Sequence, residues 1–90
     1  KAVKIYKGIL KCVIMSSNTL IYENEVHSVF LNGDKGEYEL LAYHYPLIGV
    51  LVAGDIIIDW KESIAIKGGV VRFFANECVV LLEESLKKQS

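Results

Sequence analysis

Apolar and polar residues alternate along much of this chain with the period of two that is typical of β-strands. Ile, Val, Tyr and Phe are frequent, and Gly, Asn or Asp recur about every eight to twelve residues, a spacing typical of sandwiches and barrels. The predicted strands are Ile9–Met15, Thr19–Glu23, Val26–Leu31, Glu37–Ala42, Leu47–Val52, Ile56–Ile58, Ser63–Lys67, Val70–Phe74 and Cys78–Leu82. The pattern therefore predicts an all-β fold.

Turn-forming residues separate these strands. The segment Asn32-Gly33-Asp34-Lys35-Gly36 predicts a glycine-rich loop, since glycine adopts positive φ without a steric cost. Residues 53–55 predict a turn, residues 59–62 a tight reversal, and Gly68-Gly69 a bend or a close approach of two backbones. Tyr45 precedes Pro46, which favours an extended backbone there.

Only the C-terminal end has helical character. Glu83 to Lys88 carries acidic residues first and basic residues last, as the helix dipole prefers, but it is too short to be a stable helix alone. The sequence predicts one β-domain over residues 1–83 and a tail over residues 84–90 that could begin a helical region.

Size and charge narrow the possible functions. A chain of 90 residues forms one domain, and a hydrophobic fraction of 52% supports a core without disulfides or metals. The net charge is −1 and the basic residues are dispersed without interleaved aromatic residues, which argues against nucleic-acid binding. The longest apolar stretch, Leu47 to Ile58, is broken by Gly49, Gly54 and Asp55, so we expect a soluble protein without direct membrane insertion.

Cysteines and histidines are too few for a recognisable metal or disulfide motif. Cys12 and Cys78 both lie in apolar runs, which favours two buried, reduced thiols and a reducing compartment, although one bridge could form if their strands were neighbours. Together with His27 and His44 they show none of the spacings of a zinc site. We therefore predict no metal.

No set of side chains suggests catalysis. The serines do not stand in a nucleophile elbow, and thiols in apolar runs are inert. Glu23 and Glu25 could share one face of a strand, where paired carboxylates more often protect an exposed edge. The Gly33 to Gly36 spacing lacks the Lys-Ser/Thr of a P-loop, so we predict no enzyme, cofactor or nucleotide site. Trp60 could either cap the core or anchor an interface.

Three segments in order resemble one family. The run from Leu31 to Ile48, LNGDKGEYELLAYHYPLI, resembles the L-P-G-x-x-G-E-F-G-x-L-x-x-H-A-P-L-I run of the F-type ATP synthase epsilon subunit. Upstream, Glu25 to Val29 resembles G-E-V-x-S-V, and downstream Ile64 to Val71 resembles I-A-V-S-G-G-F-V. Each piece is unspecific alone, but together they cover about Leu10 to Glu83 at compatible spacings.

The resemblance implies a flattened sandwich of two antiparallel sheets with about eight to ten short strands. It also implies a non-catalytic subunit in the rotating central stalk, bound to the gamma subunit and to the polar loops of the c-ring. That subunit helps to couple proton or sodium flow to ATP synthesis on other subunits. Its place would be peripheral, on the cytoplasmic face of the bacterial inner membrane or its organelle equivalent.

The resemblance also implies where the contacts lie. The polar loop would present Asp34 and Glu37 to the c-ring, while His44 and Pro46 match family positions near the gamma or c-ring surface. The predicted contact residues are Asn32, Gly33, Asp34, Lys35, Gly36, Glu37, Tyr38, His44, Tyr45 and Pro46.

Some positions depart from the family pattern. Asn32 replaces Pro, Glu39 replaces Gly, Tyr45 replaces Ala, and Lys67 replaces a small residue. Family members usually continue into an inhibitory two-helix hairpin, of which this sequence could hold only the start, so we predict neither inhibition nor nucleotide binding. The alternative function is a free-standing β-sandwich module that binds a ligand or carbohydrate, and it would need the chain's Tyr and Trp side chains on one concave face.

Overall fold

The computed structural model describes residues 8–83, and all regular structure in that range is β-strand. The seven strands are β1 (Leu10–Ser16), β2 (Thr19–Val26), β3 (Ser28–Gly33), β4 (Gly36–Leu41), β5 (Leu47–Ile58), β6 (Glu62–Phe74) and β7 (Glu77–Leu82). The predicted all-β class is confirmed, and nothing between residues 8 and 83 is a helix long and apolar enough to cross a bilayer. The predicted helical start at 84–90 lies outside the described residues.

Four of the predicted strands join in pairs to form β5 and β6, which stay paired through residues 53–55 and through Gly68-Gly69. At Gly68-Gly69 the predicted close approach of two backbones is confirmed, since a Cβ at Gly69 would overlap the carbonyl oxygen of Leu81. Val52 is partnered with Gly68, and Gly54 with Ile66, in a constant antiparallel register. Gly54 and Gly68 have φ values of 152° and 149°, which glycine adopts readily, so the strands change direction without losing their ladder. The predicted turn at 53–55 is therefore wrong.

The inner side of each long strand changes at these glycines. Along β5 the buried side chains stand at odd positions as far as Leu51 and at even positions from Ile56 onward. Along β6, Ile66 packs against the core at an even position and Val71 at an odd one. Strands that pass from one packed sheet to another do so through such bends. Each long strand therefore contributes one segment to each of two layers.

Hydrogen bonding runs without a break through the order β2-β1-β7-β6-β5-β3-β4, and the bent sheet encloses a single core. The first layer contains β2, β1, β7, the end of β6 and the start of β5; the second contains the start of β6, the end of β5, β3 and β4. The buried cluster draws on all seven strands: Leu10, Cys12, Ile14, Val26, Val29, Leu31, Leu40, Leu51, Ile56, Ile58, Val71, Phe73, Cys78 and Val80. The all-β sandwich is thus confirmed, but residues 8–83 form it from one continuous sheet of seven strands instead of two antiparallel sheets of eight to ten strands, and one pair, β1 with β7, runs parallel.

The predicted strand Val26–Leu31 is divided at His27. One carboxylate oxygen of Asp59, Oδ1, accepts the backbone N–H groups of His27 at 2.7 Å and of Ser28 at 3.0 Å. Asp59 lies in the β5–β6 turn with a φ of 54°, and its own N–H donates to the Ser28 carbonyl at 3.0 Å. The chain therefore leaves β2 at Val26 and enters β3 at Ser28, because a side chain distant in sequence satisfies the backbone between them.

Candidate docking site

The β3–β4 turn, at the centre of the predicted contact loop, is fixed to the first layer of the sandwich. Gly33 and Gly36 are partners at the end of the hairpin, and Gly36 has a φ of 130°. The backbone N–H of Asp34 donates to the carbonyl oxygen of Val50 in β5 at 2.9 Å. Asp34 and Lys35 are consequently held at the surface in a defined place.

Tyr38 forms the floor beside this turn. A Cβ at Gly33 would lie 2.6 Å from Tyr38 Cε1, and a Cβ at Gly49 would lie 2.8 Å from Tyr38 Oη, so the ring rests directly on two glycine backbones. Burial raises the pKa of Tyr38 above its ordinary value of 10.0, and the Asp34 carboxylate acts in the same direction. Glycine at positions 33 and 49 leaves the space that this ring needs.

The loop between β4 and β5 lies on the other side of Tyr38 from the β3–β4 turn and contains His44 and Tyr45. The Nδ1 atom of His44 lies 2.7 Å from the Tyr45 carbonyl oxygen, and because a carbonyl only accepts, Nδ1 carries the proton. The His44 ring meets Phe73 edge-on at 5.7 Å between centroids, while Tyr45 is 73% exposed. The side-chain amide of Asn76 accepts the N–H of Tyr43 at 2.7 Å, which ties the loop to the β6–β7 turn.

These two elements border an open depression of about 380 Å³, hereafter the turn depression. It is lined by Gly33, Asp34, Lys35, Gly36, Glu37, Tyr38, His44, Tyr45, Leu47, Ile48, Gly49 and Val50. Eight of the ten predicted contact residues thus lie on one surface, although they come from two separate loops.

Asn32 and Pro46 lie outside the turn depression. The Asn32 side chain donates to the Asp55 carbonyl at 3.4 Å and packs on Gly54, where a Cβ would overlap its amide nitrogen. Pro46 borders a second open groove of about 490 Å³, which continues along Leu47–Ile48 to Arg72–Phe74. The structure therefore gives Asn32 a role at the bend of β5.

An exposed apolar surface adjoins the turn depression. Register partners across five neighbouring strands form one line, hereafter the apolar row: Leu20, Met15, Leu81, Val70 and Val50. On four of these strands a residue adjacent to the row member is buried (Ile14, Val80, Val71 and Leu51). Because successive side chains of a strand point to opposite faces, the row itself faces outward. Met15 is half-buried and the other four are exposed.

Sequence reasoning missed the apolar row because its five members lie in five separate strands. Val79-Val80-Leu81-Leu82, for example, is typical of a strand buried on both faces. Only the strand order and the register place exposed residues from such runs side by side. Ile48, on the same outer side of β5, is 80% exposed and belongs to both the turn depression and the adjoining groove.

The aromatic side chains of residues 8–83 do not gather into one platform. Trp60 lies at the opposite end of β5 from Tyr45, with its ring on Phe30 at 5.0 Å and its Nε1–H donating to Glu39 at 2.7 Å. Tyr22 donates to Glu62 at 3.2 Å. Tyr6 lies outside the described residues. This dispersal does not favour the alternative function of a carbohydrate-binding module, for which one aromatic face is expected.

Between residues 8 and 83, no three His, Cys, Asp or Glu side chains come close enough together to hold a metal ion. Cys12 and Cys78 are free thiols, both in the core.

Comparison with known proteins identifies the family. The model of the β-sandwich domain of the ATP synthase Delta/Epsilon chain matches residues 9–88. The chain belongs to this family. The ATP synthase epsilon chain of Sulfurimonas denitrificans is 41% identical over 78 residues, which cover 82% of this chain and 60% of that protein. The chloroplastic epsilon chain of Oltmannsiellopsis viridis is 29% identical, over 90% of this chain and 64% of that protein. The chain thus spans less than two thirds of the length of these relatives.

Solved structures with the same fold come from ATP synthases. A chain of the central stalk/c-ring structure of the Tetrahymena thermophila mitochondrial enzyme aligns with a TM-score of 0.67 at 13% identity, covering 82% of this chain and 63% of that one. A chain of the Euglena gracilis mitochondrial enzyme, solved as OSCP/F1/c-ring, aligns with a TM-score of 0.74 at 14% identity, covering 94% and 57%. At these identities the similarity establishes the fold.

Proposed function

We propose that this chain is the sandwich domain of a rotor subunit in an F-type ATP synthase. It binds the gamma subunit and the c-ring without catalysing a reaction, and it helps to couple ion flow to ATP synthesis on other subunits. Support comes from the family match over residues 9–88 and from relatives named ATP synthase epsilon chains. One structure with this fold is a central stalk with its c-ring.

The observation that carries the proposal is the position of the apolar row beside the charged turn. Monomeric proteins rarely leave contiguous apolar surface exposed, and such surfaces mark interaction sites. The row lies on hydrogen-bonded strands, with one irregularity between Ile14 and Met15, so it presents a stiff surface that loses little conformational entropy on binding. We assign this surface to the gamma subunit.

The turn depression has a different chemistry and a different partner. Asp34, Lys35 and Glu37 are exposed charged residues on a turn that is fixed to β5. Charged groups of this kind set orientation and encounter rate more than affinity. We assign them to the polar loops of the c-ring, and we propose that the domain lies peripherally on the cytoplasmic face of the bacterial inner membrane or its organelle equivalent.

Co-purification with the gamma subunit of the same organism tests the proposal. We expect a stable complex at micromolar concentration, and we expect Val70→Glu or Leu81→Glu to weaken it about tenfold or more, because each places a charge in the apolar contact. Ala65→Glu is the matched control, since it adds the same charge at an exposed strand position in the second layer. Failure of the two folded partners to associate would overturn the proposal.

A further inference from the structure

Cys12 and Cys78 lie directly opposite each other across the only parallel strand pair among residues 8–83. They are register partners of β1 and β7, although 66 positions separate them in the sequence. Adjacent strands are about 4.8 Å apart. A disulfide requires Cα atoms about 4.4–6.8 Å apart, so the backbone spacing of this pair fits one without strand displacement.

The two side chains also point to the same place. Opposed residues of neighbouring strands project from the same face of a sheet, and both cysteines are fully buried in the one core cluster. The neighbouring Cys12 thiol and burial both raise the pKa of Cys78. The sulfur atoms are therefore neighbours in the folded protein.

We propose that Cys12 and Cys78 are a thiol–disulfide modification site that closes across the β1–β7 pair, with a small-molecule disulfide such as oxidised glutathione as the oxidant. One cysteine thiolate attacks the glutathione disulfide, forms a mixed disulfide and releases one glutathione thiolate. The second cysteine thiolate attacks the protein sulfur of that mixed disulfide and releases the second glutathione. Two cysteine thiols are oxidised, one glutathione disulfide is reduced to two thiols, and the two cysteine protons pass to the departing thiolates.

The site is closed to oxidant while the sheet is intact. Neither thiol has exposed surface, and a thiol in apolar surroundings is seldom ionised. In the described sheet, the backbone ladder of the β1–β2 hairpin continues to the remaining strands only through β7. Separation of β1 from β7 is thus one local opening that exposes both thiols together. Once formed, the disulfide holds β1 and β7 together.

Thiol counting and peptide mapping of the 90-residue chain test this inference. The chain is incubated in glutathione buffers of increasing oxidised fraction, with and without sub-denaturing urea, and the remaining thiols are alkylated. We expect loss of both thiols, a mass lower by two hydrogen atoms, a Cys12–Cys78 linked peptide and full reversal by dithiothreitol. Oxidation is expected to be faster in urea, and the oxidised chain is expected to unfold at a higher urea midpoint than the reduced one.

The single variants Cys12→Ser and Cys78→Ser supply the control, since each can form only a mixed disulfide with glutathione. Should either variant fail to fold, the comparison of oxidised and reduced wild-type chain remains decisive. Retention of both thiols in urea that exposes the β1 amides to hydrogen exchange would overturn the inference. So would mixed or intermolecular disulfides alone, or an oxidised chain with an unchanged or lower midpoint. None of these outcomes depends on gamma binding.

Discussion

Asp34 donates its backbone N–H to the carbonyl oxygen of Val50 at 2.9 Å, and this bond joins the two surfaces that we assign to different partners. Asp34 begins the charged turn, while Val50 is the last member of the apolar row. Because the bond uses main-chain atoms, side-chain substitutions can change either surface and leave their junction intact.

Charge reversal at Asp34 or Glu37 is expected to weaken attachment to the c-ring and leave gamma binding unchanged. Both side chains are exposed and neither supplies the backbone bond to Val50, so the fold should persist. ATP-driven ion pumping in reconstituted vesicles measures coupling, and gamma co-purification measures the other contact. The defect should grow smaller as salt is added, because exposed charges are screened.

Glu25→Lys provides the control for this pair, because it reverses an exposed carboxylate on β2, at the far edge of the sheet. Equal loss of coupling and gamma binding in the Asp34 and Glu37 variants would show that the turn does not face the c-ring.

The close packing of the Tyr38 ring on Gly49 supports a second prediction. Gly49→Ala should lower the free energy of unfolding by about 1–3 kcal/mol, because its Cβ would lie 2.8 Å from Tyr38 Oη and force the ring to shift. In a Tyr38→Phe background the same substitution should cost less, since the overlapping oxygen is gone. Urea denaturation of the four proteins of this double-mutant cycle measures the coupling. Equal costs in both backgrounds would mean that Tyr38 is not the obstacle.

The sequence predicts those features that depend on residues close together in the chain. The Gly33–Gly36 turn and the position of Tyr45 before a proline depend on neighbouring residues, and the structure places the turn and Tyr45 in one depression. Gly54 predicted a turn because glycine favours turns, but here it lets a paired strand bend between layers. At Gly68-Gly69 the sequence left a bend and a close backbone approach open, and the structure shows the close approach. The parallel β1–β7 pair and the apolar row depend on register between distant strands, for which no short-range pattern exists.

Asp59 supports a third prediction. Asp59→Ala should destabilise the fold by about 1–3 kcal/mol, because it leaves the N–H groups of His27 and Ser28 without their carboxylate acceptor. Asp59→Asn should cost less, since its amide oxygen can still accept and asparagine also tolerates the left-handed φ of 54°. Thermal or urea unfolding distinguishes the variants, and a larger loss in the Asn variant would contradict this account.

Alkaline pH should destabilise the domain through its half-buried tyrosines. Burial raises the pKa of Tyr38 and of Tyr22 above the ordinary 10.0, so above that pH the unfolded chain releases tyrosine protons more readily than the folded one. The unfolded state then binds fewer protons, and stability falls as pH rises through this range. We expect the urea midpoint to drop less between about pH 8 and about pH 11 in Tyr38→Phe than in the wild type.

Tyr43→Phe serves as the comparison for this experiment, because it removes the same hydroxyl group from a residue that is 78% exposed. An identical fall in wild type and Tyr38→Phe would assign the alkaline loss to other groups.

The parallel pairing of β1 with β7 has a consequence for the order in which the domain can form on the ribosome. Among the seven described strands, β1 and β2 are synthesised first, but the only neighbour of their hairpin in the sheet is β7, the last of the seven. Until residues 77–82 have left the exit tunnel, that hairpin has an unpaired edge, and contacts of such high sequence separation are slow to form. The core of the domain is therefore complete only after β7 has been synthesised and has paired with β1.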